Sequence, residues 1–468
     1  MTGTARYRQG PLAAAAIAAL LATGCAGYAG EVAEIRSSLL AGDAQQALGH
    51  SCAALEVDEP DQYPTDVGGD TALLVLERAT IKQMLGRNES SELDFRVADK
   101  NLELLDLKND TAGNIGKWLF SDDVTVYKAP PHEKLLLNAM NMLNYLSTGD
   151  LESARVEARR FTVVQKYLED AYSPAEARLG LGEYLAGFAY EMSGRYEQAL
   201  YHYDRALESG FGAPLEGRIR ALAACDPFRT DRITALLAAG DPNAVPTCEA
   251  PNKERGTVLV VASNGLAPYK RAIRLPIGAA LVVAGSVMYG PGLGMSDSSK
   301  ANELAAKGLL TWVNFPDLTR SKPRFARAVA AVDGRPVDLP LGEDVTRLVT
   351  KSWDAIKGTL MAAAIVRMIA RAVAAEATQQ GAKAGGAAGG LALLAGLAVE
   401  GGMFAADTPD TRSWVTLPSE IYVARVEVAR GRHEVAVAFE GAAGRMETSK
   451  VVDVPPAGFA VVTAASMR

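Results

Sequence analysis

Histidine and cysteine are scarce, four of each in 468 residues. The histidines, His50, His132, His202 and His433, are dispersed, and none has a ligand-like partner three or four positions away. No CxxC pair or Cys/His cluster suggests zinc. The GxSxG, HExxH and SxxK arrangements are absent too, which removes the common local signatures of hydrolytic sites. The glycine-rich YGPGLGMSDSSK, residues 289–300, lacks the Gly-Lys-Ser/Thr that grips phosphate and reads as a loop. Net charge is −7 with no basic stripe and no long charge run, which argues against nucleic acid as the main partner. Aromatics make up only 6%, while Ala and Gly are abundant, a balance suited to closely packed helices. No catalytic residue, metal site or cofactor is expected.

What is present begins at the amino terminus. MTGTARYRQG carries Arg6 and Arg8 and no acid, and PLAAAAIAALLATG follows, closed by Cys25. A basic start, an apolar stretch of about a dozen residues and a small-residue exit form an export signal. A spanning helix would need about 20 apolar residues. Ala22-Thr23-Gly24-Cys25 resembles a bacterial lipobox, with Leu21 one place earlier than usual. The expectation is a signal peptide over 1–24 and lipidation at Cys25, with simple cleavage and secretion as the alternative. Ala26, in place of an Asp, leans toward the outer membrane. Two or three acyl chains suffice for stable anchoring, so the polypeptide need not enter the bilayer.

The length suits two or three domains. Residues 25–240 read as a tetratricopeptide-like helical repeat region. In EYLAGFAYEMSGRYEQALYHYDRALESG, Gly187, Tyr190, Gly194, Ala199, Tyr203 and Ala206 fall at that repeat's spacing. Gly187 and Ala199 are small where paired helices touch, Gly194 opens the turn, and Tyr190 and Tyr203 are expected to fill the groove against the next repeat. Weaker copies carry Gly42 with Ala47, Gly149 with Ala154 and Tyr145, and Gly86 with Phe95 and Ala98. The turn glycines are unevenly spaced, so the solenoid is irregular, with a loop expected over Asn109–Pro131. Such stacks offer a groove to partner segments or simply support the rest of the chain. Cys225 and Cys248 flank a short helix-like stretch, which leaves a disulfide or two separate thiols open, and Cys52 reads as a small buried apolar residue.

From residue 251 the pattern turns to short strands separated by Gly and Pro, an α+β chain ending in a β-sandwich-like domain over 251–468. GTVLVVASNG, RAIRLPIG and GAALVVAG read as strands, and FARAVAAVDGRPVDL as a hairpin turning at Asp333-Gly334. IYVARVEVARGRHEVAVAFEG gives two strands joined around Arg430-Gly431, and ETSKVVDVP and GFAVVTAAS give the last two. Residues 342–406 break this scheme as a helical hairpin insertion. Its 354–405 portion either packs on its own domain, supports self-association or partner docking, or touches a bilayer. Gly385/Gly389 and Gly386/Gly390 provide close-approach spacing. Glu157, among Arg155, Arg159 and Arg160, reads as part of a surface ion-pair network.

Three stretches, YKAPPHEKLLLNAMNMLNYLSTGDLESARVEARR, GLAPYKRAIRLPI and DTRSWVTLPSEIYVARVEVARGRHEV, occur in that order. Together they resemble a widespread, uncharacterised family of bacterial lipoproteins that combine a lipobox, a tetratricopeptide-like region and a β-rich carboxy-terminal part. The resemblance implies the context of outer-membrane or cell-wall assembly and transfers no catalytic residue. Within these motifs, Asp410, Arg412 and Trp414 read as a domain junction, Trp414 plugging hairpin against sandwich and Arg412 pairing with Asp407 or Asp410. Pro268, Tyr269 and Lys270 read as a strand-to-strand corner. The leading expectation is a non-enzymatic outer-membrane lipoprotein facing the periplasm, bound to the bilayer through acylated Cys25 and to envelope proteins through the repeat groove. The alternative is a self-assembling, membrane-active or export-related envelope component using the 354–405 hairpin. An envelope enzyme whose cleft gathers Glu157, Arg159 and Tyr127 is a third.

Overall fold

The computed structural model describes residues 28–104, 127–171, 178–239, 247–248, 252–285, 295–306, 310, 312–319, 322–383 and 409–468. The signal peptide, Cys25, most of the 109–131 loop, the first part of the 289–300 loop and the second arm of the helical hairpin lie outside the described residues. The chain is α+β, with helices first and sheets after.

Ten helices lie among the described residues of the first half, the first eight packed as successive pairs. They are α1 (Tyr28–Ala41), α2 (Ala44–Ala54), α3 (Asp70–Met84), α4 (Asn88–Asn101), α5 (Pro131–Ser147), α6 (Leu151–Ala171), α7 (Gly180–Met192), α8 (Tyr196–Glu208), α9 (Glu216–Ala223) and α10 (Asp231–Ala238). A short parallel pair, β1 (Glu103–Leu104) with β2 (Lys128–Ala129), was not foreseen. Gly42, Gly86, Gly149 and Gly194 all have positive φ, between 68° and 85°. Each closes a first helix in the left-handed conformation that glycine adopts without a Cβ clash. The turn chemistry is therefore constant although the glycines are unevenly spaced. Cys225 and Cys248 are joined in a disulfide. Cys52 is a buried free thiol.

Three first helices, α3, α5 and α7, are buried on nearly every side, whereas α4, α6 and α8 keep one face in solvent. The cause is the second half of the chain, which covers the inner row of helices. There, β3 (Arg255–Leu266), β4 (Lys270–Pro276), α11 (Ile277–Gly285), α12 (Met295–Ala306), β5 (Trp312–Leu318), β6 (Arg327–Val332), β7 (Arg335–Val337), β8 (Leu341–Asp344), α13 (Val345–Lys383), β9 (Pro418–Ala429), β10 (Gly431–Gly441), β11 (Gly444–Val454) and β12 (Phe459–Ser466) follow in order. Two four-stranded sheets, ordered β12-β3-β9-β8 and β11-β10-β6-β7, stack as a sandwich. Strand β3 is an almost unbroken apolar run because both its faces are covered. Val258, Val260 and Ala262 join the core between the sheets, and Leu259 and Val261 join the core against the helices.

Several details differ from the sequence reading. GAALVVAG is helical (α11): Ala280 and Ala284, one turn apart, are fully buried in a separate core shared with α13 and the β4–β5 pair. A short apolar run cannot by itself separate strand from buried helix. The two strands joined around Arg430-Gly431 are present, and the chain there turns a corner between the two sheets, since β9 pairs with β3 and β8 while β10 pairs with β6 and β11. The hairpin at Asp333-Gly334 is present, both residues having positive φ (52° and 74°). Pro268–Lys270 forms the β3–β4 corner.

Gly187 is closely packed within its helix pair. A Cβ there would lie 2.6 Å from two ring carbons of Tyr203, which is fully buried and donates its hydroxyl to Glu191 at 2.7 Å. Gly187→Ala is expected to destabilise the protein by about 1–3 kcal/mol through overpacking. Urea denaturation checks this, and an unchanged midpoint contradicts it.

Candidate functional site

Among the regions of the described chain that gather buried polar groups, two lie where its halves meet: the joint between them and a cleft beside it. The joint is built by residues 410–417, an irregular segment with a turn at Val415-Thr416, laid across α1, α3 and α5. Glu133 Oε1 accepts the Trp414 N–H at 3.0 Å. Glu77 accepts the N–H groups of Val415 (2.8 Å) and Thr416 (2.9 Å). The Trp414 indole N–H donates to Thr80 Oγ1 at 2.9 Å, and its ring meets Phe95 edge-on at 6.1 Å. Arg412 grips Asp410 with two hydrogen bonds (2.9 and 3.0 Å) and reaches Asp70, at the start of α3, at 2.7 Å. The junction residues are thus brought together, and among the described residues Trp414 packs into the helical half, while the second arm of the hairpin lies outside them. The nearby Asp407 lies outside the described residues.

Glu77 is the unusual member. The Tyr28 hydroxyl stands 2.5 Å from Glu77 Oε1 and 2.6 Å from the Ser413 carbonyl oxygen. The Tyr28 hydroxyl hydrogen is shared between these two acceptors. Burial pushes the Glu77 carboxyl up to about 7 against the hydrogen bonds from Thr416, Tyr28 and Val415 that favour the charge. Glu343 of β8, which accepts the Leu181 N–H at the start of α7 (3.0 Å), is likewise pushed up to about 7 by burial.

The cleft lies where α7, α8 and the loop before α9 face β9 and the 336–340 segment. Its volume is about 460 Å³. At its edge, Glu191 takes two hydrogen bonds from Arg425 (2.7 and 2.6 Å), one from Tyr203 (2.7 Å) and one from Arg218. Burial pushes the Glu191 carboxyl up, but the two guanidinium groups outweigh it and hold it below its ordinary value.

Of the repeat residues, Ala199 and Ala206 are fully buried. Tyr203 turns onto Gly187 and into this cleft, and Tyr190 stacks on His202 at 5.3 Å within its own helix pair, so neither simply fills the groove toward the next repeat. His202 is held by Glu183 at 2.7 Å, and His433 by Asp333 at 2.7 Å. Glu157 is buried and accepts from Asn138 at 2.7 Å, with Arg160 at 3.6 Å. It is not in a surface network, because the inner helix α5 covers it. Tyr127 donates instead to Glu133 at 2.6 Å. Sequence reading missed Tyr28, Glu77, Glu133, Glu191, Arg218 and Arg425; their only signal was charge on helices and a strand that are otherwise apolar.

Among the described residues no group of three His, Cys, Asp or Glu side chains could hold a metal ion, and no helix is long and apolar enough to cross a membrane. No protein-family model matches the chain, and comparison with curated proteins and with solved structures returns no match.

The raised carboxyls give a pH dependence with a definite sign. Each binds its proton more tightly in the fold than in the unfolded chain, so its contribution is complete below the ordinary value of 4.5 and is lost as pH rises through about 7. Buried His132, lowered to about 3 by burial, acts oppositely, but only below its ordinary 6.5. Stability is therefore expected to fall as pH rises from about 4.5 to 7, by at most about 1.4 kcal/mol per pH unit for each carboxyl, with His132 offsetting part of the fall below 6.5, and to level off above 7. Glu77→Gln, a neutral mimic of the acid, should flatten that slope in urea titrations; an identical slope in the variant contradicts the assignment.

Proposed function

We propose that the protein is a lipid-anchored scaffold of the bacterial envelope: acyl chains on Cys25 hold it to the outer membrane, and the fused helical and β-rich body presents a recognition surface to envelope proteins in the periplasm. The observation that carries this reading is the apolar stretch ending in Leu21-Ala22-Thr23-Gly24-Cys25 behind a basic start. The resemblance of the three ordered motifs to lipoproteins of that context supports it, as does the intramolecular disulfide, a bond at home in oxidising compartments. The recognition surface is no longer the inner face of the repeats, since the chain's own sheet and its 410–417 segment fill it. The outer helices and the cleft beside Arg425 remain open to a partner.

A second reading, self-assembly through the 354–405 hairpin as an export-related or membrane-active component, draws on one observation. Val366 and Val373, two turns apart on α13, are exposed by 43% and 40%. Paired apolar side chains on a long helix suit a helix from another copy.

Lipidation is the direct test. Cells fed labelled palmitate should yield a labelled protein in the membrane fraction, and Cys25→Ser should lose the label and move to the soluble fraction. Absence of label, with unchanged fractionation of Cys25→Ser, contradicts the anchor.

A further inference from the structure

Each sheet of the sandwich ends on two outer strands, and three of these four edges carry a protecting device. Strand β7 has only three residues and holds Pro336, which lacks an N–H. Strand β8 has four residues and a register shift, and its Gly342 carbonyl oxygen accepts the Gly212 N–H at 3.1 Å from the loop before α9. Lys450 turns inward from β11, and its ammonium donates to the Thr463 carbonyl oxygen of β12 at 2.8 Å. Short strands, proline, covering loops and lysine are the ordinary means of keeping a sheet edge from pairing with another chain. Strand β11 is different. It runs eleven residues without proline, and among the described residues its main-chain groups bond only to β10. Its outward side chains, Arg445, Glu447, Ser449, Val451 and Asp453, are exposed, Val451 by 58%.

Charge on the outward face of this sheet is laid out in rows. Arg327 of β6, Glu440 of β10 and Arg445 of β11 are cross-strand neighbours. Arg327 meets Glu440 at 2.8 Å and Arg445 bonds it too, so the row reads plus, minus, plus and stops at the edge. At the other end of β11 a second row begins at the edge with Asp453, opposite Arg432 of β10, and reads minus, plus. Ser449 is the middle residue of Gly444–Val454. A twofold axis through Ser449, perpendicular to the sheet, sets all eleven residues antiparallel to those of a second copy and keeps every side chain on its own face. Arg445 then stands directly opposite Asp453 of the second copy, and the two rows join with alternating sign across five strands. Met446 stands opposite Val452, and Val451 opposite Glu447, whose carboxylate Arg445 holds at 2.6 Å. Glu434, the remaining acid of this face, neighbours Val451 and is separated by it from Glu447 of the other copy. An axis moved to Lys450 would set that lysine against itself and Glu447 against Asp453, and one at Thr448 would part Arg445 from Asp453. Opposite charges favour a cross-strand pair and like charges disfavour it, so the charges select the Ser449 register.

We propose that two copies of this chain pair through their β11 edges, antiparallel about Ser449, so that their β11-β10-β6-β7 sheets become one continuous sheet with four strands from each copy. The occupant is a second copy because the two ends of this edge complement each other, which is the requirement of an isologous contact. Main-chain pairing supplies the affinity, and the Arg445–Asp453 pairs supply the register. The contact is separate from the lipid anchor and from α13: a chain lacking acyl groups would still pair, so loss of one reading leaves the other standing.

The test follows the mass of the full chain by sedimentation in excess detergent over a range of concentrations. A concentration-dependent passage from one copy to two is expected. Ser449→Cys sets two sulfurs opposite each other at the axis, where either kind of antiparallel pair, about 4.5 or 5.5 Å between Cα atoms, suits a disulfide. Mild oxidation should therefore link this variant into a covalent dimer. Glu447→Cys and Val451→Cys should link to each other when mixed and much less when alone. Ser449→Lys and Ser449→Glu, each setting like charges at the axis, should weaken the dimer by up to about fivefold, and a mixture of the two should restore it. Ser449 is exposed, so both variants should keep the parent's melting temperature. If either melts early, the cysteine crosslinks decide the matter alone. One copy at every concentration, no crosslink in Ser449→Cys, or a dimer indifferent to both charges at Ser449 overturns the proposal. A dimer that survives those charges and is lost in Val366→Lys also overturns it, and places self-association on α13.

Discussion

Two buried carboxyl groups hold the molecule together. Glu77 and Glu133 stand on the inner helices and receive three consecutive main-chain N–H groups, those of Trp414, Val415 and Thr416. An irregular segment buried between helices and a sheet has no ladder of its own, and unmet donors there would each cost about 1–3 kcal/mol. The helices therefore supply the acceptors, and Trp414 fills the space between them. Burial of a tryptophan of this kind is worth about 3–5 kcal/mol. Arg412 extends the clamp to Asp70 at the start of α3.

The rest of the architecture follows from this joint. With the 410–417 segment fixed, β9 emerges directly beside β3, and their sheet lies on the inner helices with Leu259, Val261, Ile421 and Val423 in the shared core. The sheet's other face takes the second sheet. Further ties run along the same seam: Arg425 to Glu191, Glu343 to the start of α7, and Phe188 edge-on to Phe459 at 5.3 Å. A repeat array usually offers its inner face to other proteins. Here that face is filled from within by the chain's own sheet and its 410–417 segment.

Much of the fold was legible because its signals are local. Turn glycines, the small residues of a helix pair and the Asp333-Gly334 hairpin announce themselves within a few residues. The order of strands was not legible: β12 lies parallel to β3 across almost the whole second half, and only the pairing shows that Arg430-Gly431 turns between two sheets. The Asp410–Trp414 motif was recognisable as a junction, yet the partners that Trp414 meets among the described residues, Thr80 and Phe95, lie more than 300 residues away. Glu77, Glu133 and Glu191 were invisible for a related reason. A charged residue on a helix reads as its solvent face, and only the covering sheet turns these into interior acceptors.

Amide hydrogen exchange at Trp414, Val415 and Thr416 measures the central interaction directly. If Glu77 and Glu133 clamp this segment as the joint of the two halves, these three amides exchange only through global unfolding, at the rate of the slowest amides of β3. Exchange of the three on the timescale of exposed loops, while β3 stays protected, would contradict the account.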